Sequence, residues 1–135
     1  MSLKHNHEHA EMLLGKARND QIAFEKLAAD PSTPDDVTGF HAQQAVEKCL
    51  KAVLAANDVK YPFTQNLSRL LDLLREQAIE VPDSFEDFKH LTRFGAVFRY
   101  DDMELAAQPL DRPRTLERIR QAIAWAESSV DKSAP

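Results

Sequence analysis

FHAQQAVEKCLKA, residues 40–52, separates into an apolar side and a polar side when it is wound into an α-helix. At about 100° per residue, five polar side chains fall within roughly a third of the helix circumference. This polar stripe consists of His41, Gln44, Glu47, Lys48 and Lys51. The opposite arc consists of Ala42, Val46, Cys49, Leu50, Val53 and Leu54. The pattern predicts a helix that packs on a core through one side, with a polar side that an ordinary surface helix does not need.

The composition favours a single all-α domain. The chain has 135 residues, 43% of them hydrophobic, which is enough for one domain with a buried core. It contains only 3 glycines, and these lie in or beside helix-like runs, which argues against a sheet-rich fold with many tight turns. The expected fold class is therefore all-α.

Hydrophobic residues recur at helical spacing in three segments of the first half of the chain. The first helix is predicted over residues 8–29. The second has Thr33 as its N-cap and Pro34 at its first helical position, and it continues to about Asn57. The third is predicted to begin at Thr64. Its apolar stripe is formed by Leu67, Leu70, Leu71 and Leu74.

Two further helices are predicted in the second half. The fourth is capped by Ser84 and continues to about residue 100, with an apolar arc that includes Phe88 and Leu91. The fifth begins near Pro113 after an Asp111 cap. Long helices joined by short loops favour antiparallel neighbours, so we expect an up-and-down bundle of four to five antiparallel helices.

Domain boundaries follow from the same pattern. Residues 1–135 are predicted to form one domain, because the chain shows no repeat, low-complexity tract or second set of elements. Residues 1–7 and 132–135 are expected to be frayed or to have been added for expression.

Charge and cysteine content exclude several classes of protein. The net charge of −5 gives no general attraction to nucleic acid, and no DNA partner is expected, although a local basic groove is compatible with it. No apolar run approaches the roughly 20 residues that span a bilayer, so no membrane association is expected. The single Cys49 lies on the apolar arc and cannot form an internal disulfide, which favours the reducing cytoplasm.

Cofactor, metal and catalytic motifs are not found in the sequence. His5 and His9 are four residues apart and could share a metal on a helix, but no third ligand is evident beside them, and no metal site or cofactor is predicted. No glycine-rich phosphate loop or nucleophile motif occurs. His90 has no nucleophile to activate, so it is interpreted as structural, and no catalytic residue is assigned.

The polar stripe of the second helix has two interpretations. One is a solvated face on which Glu47 and Lys51, four residues apart, form an ion pair. The other is a wall of a ligand site, because the neutral amides of Gln43 and Gln44 form no ion pair but hydrogen-bond well to the edges of ligands.

The fourth helix offers a second candidate surface. On an α-helix, Lys89, Arg93 and Tyr100 would share one face, where two cations and an aromatic hydroxyl suit a phosphate and a base or ribose. The alternative is a structural role for Arg93 and Tyr100. Arg99 also fits a salt-bridge network with the acids that follow it.

Three motifs together resemble one known family. Residues 40–52 look like the signature helix of HEPN domains (higher eukaryotes and prokaryotes nucleotide-binding), residues 62–67 resemble the start of the family's third helix, and Arg99–Tyr100–Asp101 resembles the end of its fourth. The resemblance implies a bundle of four or five helices that is usually homodimeric. Many members are encoded beside a small nucleotidyltransferase and form toxin–antitoxin pairs with it.

Active members of this family are metal-independent ribonucleases that carry Arg-x(4–6)-His, and here the sequence departs from the pattern. No arginine is followed by a histidine at that spacing, and a four-residue spacer from Arg93 places Phe98 at the histidine position. Because Phe98 cannot transfer a proton, the usual general acid–base partner is missing. Gln65 likewise stands where many relatives of this subgroup have His. Tyr100 matches a tyrosine that the partner modifies with a nucleotide in some members.

The resemblance predicts a HEPN-domain protein that binds a nucleotide or RNA and pairs with a small nucleotidyltransferase, with a degenerate ribonuclease motif. Its candidate binding residues are His41, Gln44, Lys48, Lys51, Lys89, Arg93, Arg99 and Tyr100. Two alternatives stay open. One is an active metal-independent ribonuclease toxin that uses Arg93, Arg99 and Tyr100 with His41 as the proton carrier. The other is a dimeric interaction module with no ligand.

Overall fold

The computed structural model describes residues 3–96 and 108–135, and within them the chain is entirely helical apart from its loops. The helices are α1 (Leu3–Ala28), α2 (Asp35–Ala56), α3 (Leu67–Glu76), a 3-10 helix (Asp83–Phe94) and α4 (Arg112–Lys132). The predicted all-α bundle of antiparallel helices is confirmed. Among these helices none is long and apolar enough to cross a membrane. The predictions for Phe98, Arg99 and Tyr100 lie outside the described residues.

Helix α2 is the centre of the bundle and contacts the other four helices. The whole predicted apolar arc is buried, and so are most other residues of α2. Cys49 lies in this core, as its predicted position on the apolar arc implies, and burial raises the pKa of its thiol. A helix covered on most of its circumference has little solvated surface, so its polar residues must find partners inside the protein.

The start of α4 lies beside the end of α1 and the start of α2. The Arg112 guanidinium donates to the backbone carbonyls of Ala28 at 3.2 Å, Asp30 at 3.0 Å and Thr33 at 2.6 Å, and it pairs with the Asp35 carboxylate at 3.1 Å. Helices α2 and α4 therefore both run antiparallel to α1. One arginine at the start of α4 holds the α1–α2 loop in place.

The first two helices begin at positions other than those predicted. Helix α1 begins at Leu3 rather than Glu8, and Asn6 is already buried. The N-cap of α2 is Pro34 rather than Thr33. The Pro34 carbonyl accepts the Thr38 N–H at 3.1 Å, so the first helical turn closes one residue later than expected.

The caps of α3 and α4 are made by side chains. Helix α3 begins at Leu67, not Thr64, because the Asn66 side chain accepts the Arg69 N–H at 3.2 Å and so sets the first turn. The predicted Asp111 cap of α4 is confirmed, with its carboxylate accepting the Arg114 N–H at 3.1 Å.

The fourth helix is a 3-10 helix that ends at Phe94, so the prediction of an α-helix to about residue 100 is wrong for residues 83–96. Its apolar residues recur every three positions, which is the period of a 3-10 helix. All four of them are buried: Phe85, Phe88, Leu91 and Phe94. With three residues per turn, Arg93 lies about a third of a turn away from Lys89 rather than on the same face.

Candidate functional site

Two members of the polar stripe of α2, Glu47 and Lys51, form a buried ion pair. Lys51 Nζ donates to Glu47 Oε2 at 3.0 Å, and the two side chains are only 11% and 10% exposed. The Lys51 ammonium also lies 5.4 Å from the centroid of the Tyr61 ring. The predicted ion pair between Glu47 and Lys51 is confirmed, but the prediction that it lies on a solvated face is wrong, because both residues are buried.

The amide groups of Gln43 and Gln44 also hydrogen-bond within the protein. Gln43 is fully buried and donates both to Glu47 Oε1 and to the backbone carbonyl of Gln65, each at 3.0 Å. Gln44 Nε2 donates to Gln43 Oε1 at 2.7 Å. This chain of hydrogen bonds holds the 57–66 loop against α2. The two amides, which were expected to hydrogen-bond to a ligand, therefore bond to groups of the protein.

Two other residues of the polar stripe, His41 and Lys48, contact α1. His41 Nδ1 lies 3.1 Å from Asp20 Oδ1, and Lys48 Nζ donates to Asp20 Oδ2 at 2.5 Å. The side chains of His41 and Lys48 are both partly exposed. Asp20 thus links His41 and Lys48, and the two predicted binding residues are brought together by an internal carboxylate.

A cleft of about 670 Å³ lies between the 3-10 helix and the first turns of α4. Its volume falls within the range of small-molecule sites in proteins. Among the residues that the structure describes, the charged ones that line it are Lys89, Arg93, Arg114, Arg118, Asp87 and Asp111. This described part of the lining has more cations than carboxylates, although the chain has a net charge of −5. We refer to it as the basic cleft.

Arg93 is held at one end of the basic cleft. Its Nη2 donates to the backbone carbonyl of Gln108 at 2.7 Å, and its guanidinium carbon lies 4.4 Å from the centroid of the Phe94 ring. The side chain is half-buried. Arg93 therefore ties the residues before α4 to the 3-10 helix, whereas the Lys89 side chain is exposed in the same cleft.

On the α4 side of the cleft, two arginines bind one aspartate of the 3-10 helix. Arg114 and Arg118 both donate to Asp87 Oδ2, with the shortest contacts at 2.6 Å and 3.0 Å. The hydrogen bond from Arg114, followed by that from Arg118, outweighs desolvation and holds the pKa of Asp87 below its ordinary value. Asp87 correspondingly raises the pKa of Arg114. The aspartate is a carboxylate at neutral pH.

The structure places the predicted residues in separate locations. Lys89 and Arg93 line the basic cleft, while none of the α2 stripe residues does. Helix α2 and the 3-10 helix touch through an apolar contact, where a Cβ at Gly39 would lie 2.6 Å from the Phe94 ring. The two polar surfaces that the sequence assigned to one site therefore do not form a common wall among the described residues.

The cleft also contains Arg114, Arg118 and His90, which were not predicted as ligand contacts. Arg114 and Arg118 are four apart on α4, which is a signal for a shared face that the sequence does contain. His90 is exposed and lines the cleft beside Lys89, although its sequence context indicated a structural role. What the sequence lacked was any indication that α4 packs beside the 3-10 helix.

Comparison with known proteins gives one finding. The family model for the HEPN domain matches residues 10–132, from within α1 to the end of α4. No curated protein and no solved structure matches the chain. Because the match includes nearly all of the 135 residues, and because the fold is the helical bundle that the resemblance implied, the chain belongs to the HEPN domain family.

Proposed function

We propose that this HEPN domain binds a nucleotide or a single-stranded RNA segment in the basic cleft and does not cleave it. The observation that carries the proposal is the concentration of Lys89, Arg93, Arg114 and Arg118 around one cavity of an acidic protein. Phosphate groups bind where cations converge, and a partly enclosed cleft strengthens the attraction. The α2 stripe supports this function indirectly by holding the fold together.

The proposal includes a protein partner. We infer that the protein is a cytoplasmic homodimer and pairs with a small nucleotidyltransferase in a toxin–antitoxin-like pair. Support comes from the signature helix at residues 40–52 and from membership of the family. Co-expression with a nucleotidyltransferase encoded beside it, followed by affinity purification, tests the pairing. Separate elution of the two proteins, or a monomer at high micromolar concentration in sedimentation, would contradict it.

Lys89→Ala is expected to weaken binding of a short fluorescent oligoribonucleotide or of AMP. Lys89 is exposed in the cleft, so its loss removes a phosphate contact without disturbing the core. Loss of an exposed ion pair worth about 1 kcal/mol corresponds to about a fivefold increase in Kd. For the oligoribonucleotide, the slope of log K against log salt should become shallower by about 0.7. Fluorescence anisotropy and calorimetry measure the two effects.

Lys16→Ala is the matched control, since Lys16 is exposed on α1 and does not line the cleft. Removing it changes the net charge equally and should leave Kd almost unchanged. Equal weakening in both variants would show that binding follows overall charge. Wild-type protein that binds neither ligand would refute the proposed function.

A ribonuclease is the second candidate, because His90 lies in the basic cleft with Lys89 and Arg93. An imidazole beside cations could transfer a proton while the cations stabilise a phosphorane-like charge. The proposal of binding without cleavage predicts intact RNA after long incubation in EDTA at high protein concentration. Cleavage that disappears in His90→Ala and persists in His41→Ala would establish the enzyme instead, since His41 pairs with Asp20 away from the cleft.

A further inference from the structure

Three guanidinium N–H groups converge on a single oxygen atom in the wall of the basic cleft. Asp87 Oδ2 accepts from Arg114 Nη2 at 2.6 Å, from Arg114 Nε at 3.2 Å and from Arg118 Nε at 3.0 Å. A well-matched arginine–carboxylate pair distributes its two parallel hydrogen bonds over both carboxylate oxygens. Here one oxygen carries the contacts from both arginines.

The two arginines are held in this arrangement by their own helix. They are four residues apart on α4, so they project from the same face. Arg118 Nη1 also donates to Gln121 Oε1 at 2.9 Å, one turn further along, which restricts the rotation of its guanidinium. Arg118 is 19% exposed, whereas Arg114 is 59% exposed. Arg118 therefore has two hydrogen-bond partners and little exposed surface, whereas Arg114 is the more exposed of the two guanidinium groups.

Asp87 comes from the opposite wall, on the 3-10 helix, and its side chain is 33% exposed. Its low pKa keeps it charged at neutral pH. The group at the meeting point of the arginines is therefore an anion that belongs to the protein. A phosphate presents three oxygens on one tetrahedral centre, and two guanidinium groups can each bind different oxygens of it.

We propose that Arg114 and Arg118 form a phosphate-binding site, which Asp87 occupies as an internal competitor when no ligand is bound. The inference rests on the proposed function in placing the remainder of the ligand in the basic cleft, toward Lys89. An incoming phosphate displaces the Asp87 carboxylate and takes over its contacts. Affinity is then lowered by the fraction of molecules in which Asp87 holds the site.

Asp87→Asn is expected to tighten binding of inorganic pyrophosphate about fivefold to tenfold at low salt, because the neutral amide competes less well for the arginines. Isothermal titration calorimetry on the full chain measures Kd. The control is Glu86→Gln, which removes the same charge one residue earlier on the same helix. Glu86 pairs with Arg75 rather than with a residue of the cleft. Arg118→Gln in the Asp87→Asn background should abolish the gain.

A second measurement uses the wild-type protein and does not depend on any variant folding. In a proton–nitrogen spectrum, pyrophosphate should shift the Nε–H resonances of Arg114 and Arg118 and leave that of Arg120 in place, since Arg120 does not line the cleft. Equal gains in Asp87→Asn and Glu86→Gln, or shifts spread over all arginines, would overturn the proposal.

The ligand arms distinguish the source of the phosphate. If the site accepts any phosphate, Asp87→Asn should bind both ADP and an oligoribonucleotide without a terminal phosphate more tightly than wild type does. If the site needs a terminal phosphate, only the affinity for ADP should increase. Adenosine should gain nothing, and a gain with adenosine would refute the site. Pyrophosphate binding without nucleotide binding would refute the proposed function alone. Nucleotide binding that depends on Lys89 but not on Asp87 would refute this inference alone.

Discussion

Arg112→Ala is expected to lower the free energy of unfolding by about 3 kcal/mol, because hydrogen bonds to a charged group are strong and their loss leaves acceptors unsatisfied. Arg112 joins α4 to the α1–α2 loop through three close backbone carbonyls and the Asp35 carboxylate. Urea unfolding followed by circular dichroism gives the value. Arg112→Lys should restore only part of it, since an ammonium lacks the planar fork that reaches several acceptors.

Arg120→Ala is the matched control, as Arg120 is exposed on the same helix. A change within about 0.5 kcal/mol is expected there, as for most surface positions. If Arg112→Ala is as mild as Arg120→Ala, the α1–α2 loop is held by other contacts and the role given to Arg112 is wrong.

The Arg112 contact should also depend on pH. Desolvation raises the pKa of Asp35. The hydrogen bond from the Leu110 N–H and the interactions with the Arg112 guanidinium together lower it by more, so the pKa of Asp35 in the folded protein lies below its ordinary value. A lowered pKa stabilises the fold above the unfolded pKa of about 3.9, and this contribution is lost as pH falls through the folded pKa. The difference between wild type and Arg112→Ala should therefore narrow below about pH 4.

Glu47→Ala is expected to destabilise the protein by about 3 to 5 kcal/mol, the usual cost of removing one partner of a buried ion pair. The change strands the Lys51 ammonium in the core and removes an acceptor from Gln43. Thermal and urea unfolding measure the loss.

The informative control is the double variant Glu47→Leu with Lys51→Met, which removes both charges and keeps similar volumes. Replacing a buried pair by apolar residues is often neutral or stabilising, so most of the loss should be recovered. The double variant should also bind the oligoribonucleotide like wild type, because neither residue lines the basic cleft. If a stable double variant bound the oligoribonucleotide more weakly, the polar stripe of α2 would be part of the binding site.

Much of the fold could be predicted because helix formation leaves a periodic signal. The apolar arc of α2 and the Asp111 cap of α4 both match the structure. Helix starts were less accurate, since the N-cap is decided by one hydrogen bond, such as that from Arg69 to the Asn66 side chain. The sequence did indicate the 3-10 helix, because buried apolar residues recur at every third position, at Phe85, Phe88, Leu91 and Phe94.

The site was less predictable because polarity along a helix does not reveal what covers it. His41 and Lys48 look like ligand contacts until Asp20, more than twenty residues earlier in the chain, is found between them. The Gln43 amide was predicted to hydrogen-bond to a ligand, but it donates to the backbone carbonyl of Gln65. In each case the partner is distant in sequence and close only after the helices pack.

By itself the sequence determined the helical class, the core face of α2 and the resemblance to HEPN domains, since all three depend on residues within a few turns of one another. Only the tertiary structure decided where the cations gather. Lys89 and Arg114 are far apart in the chain and meet because the 3-10 helix packs beside α4. That packing depends on buried apolar contacts, which carry no direction of their own and acquire a geometry only when the whole core forms.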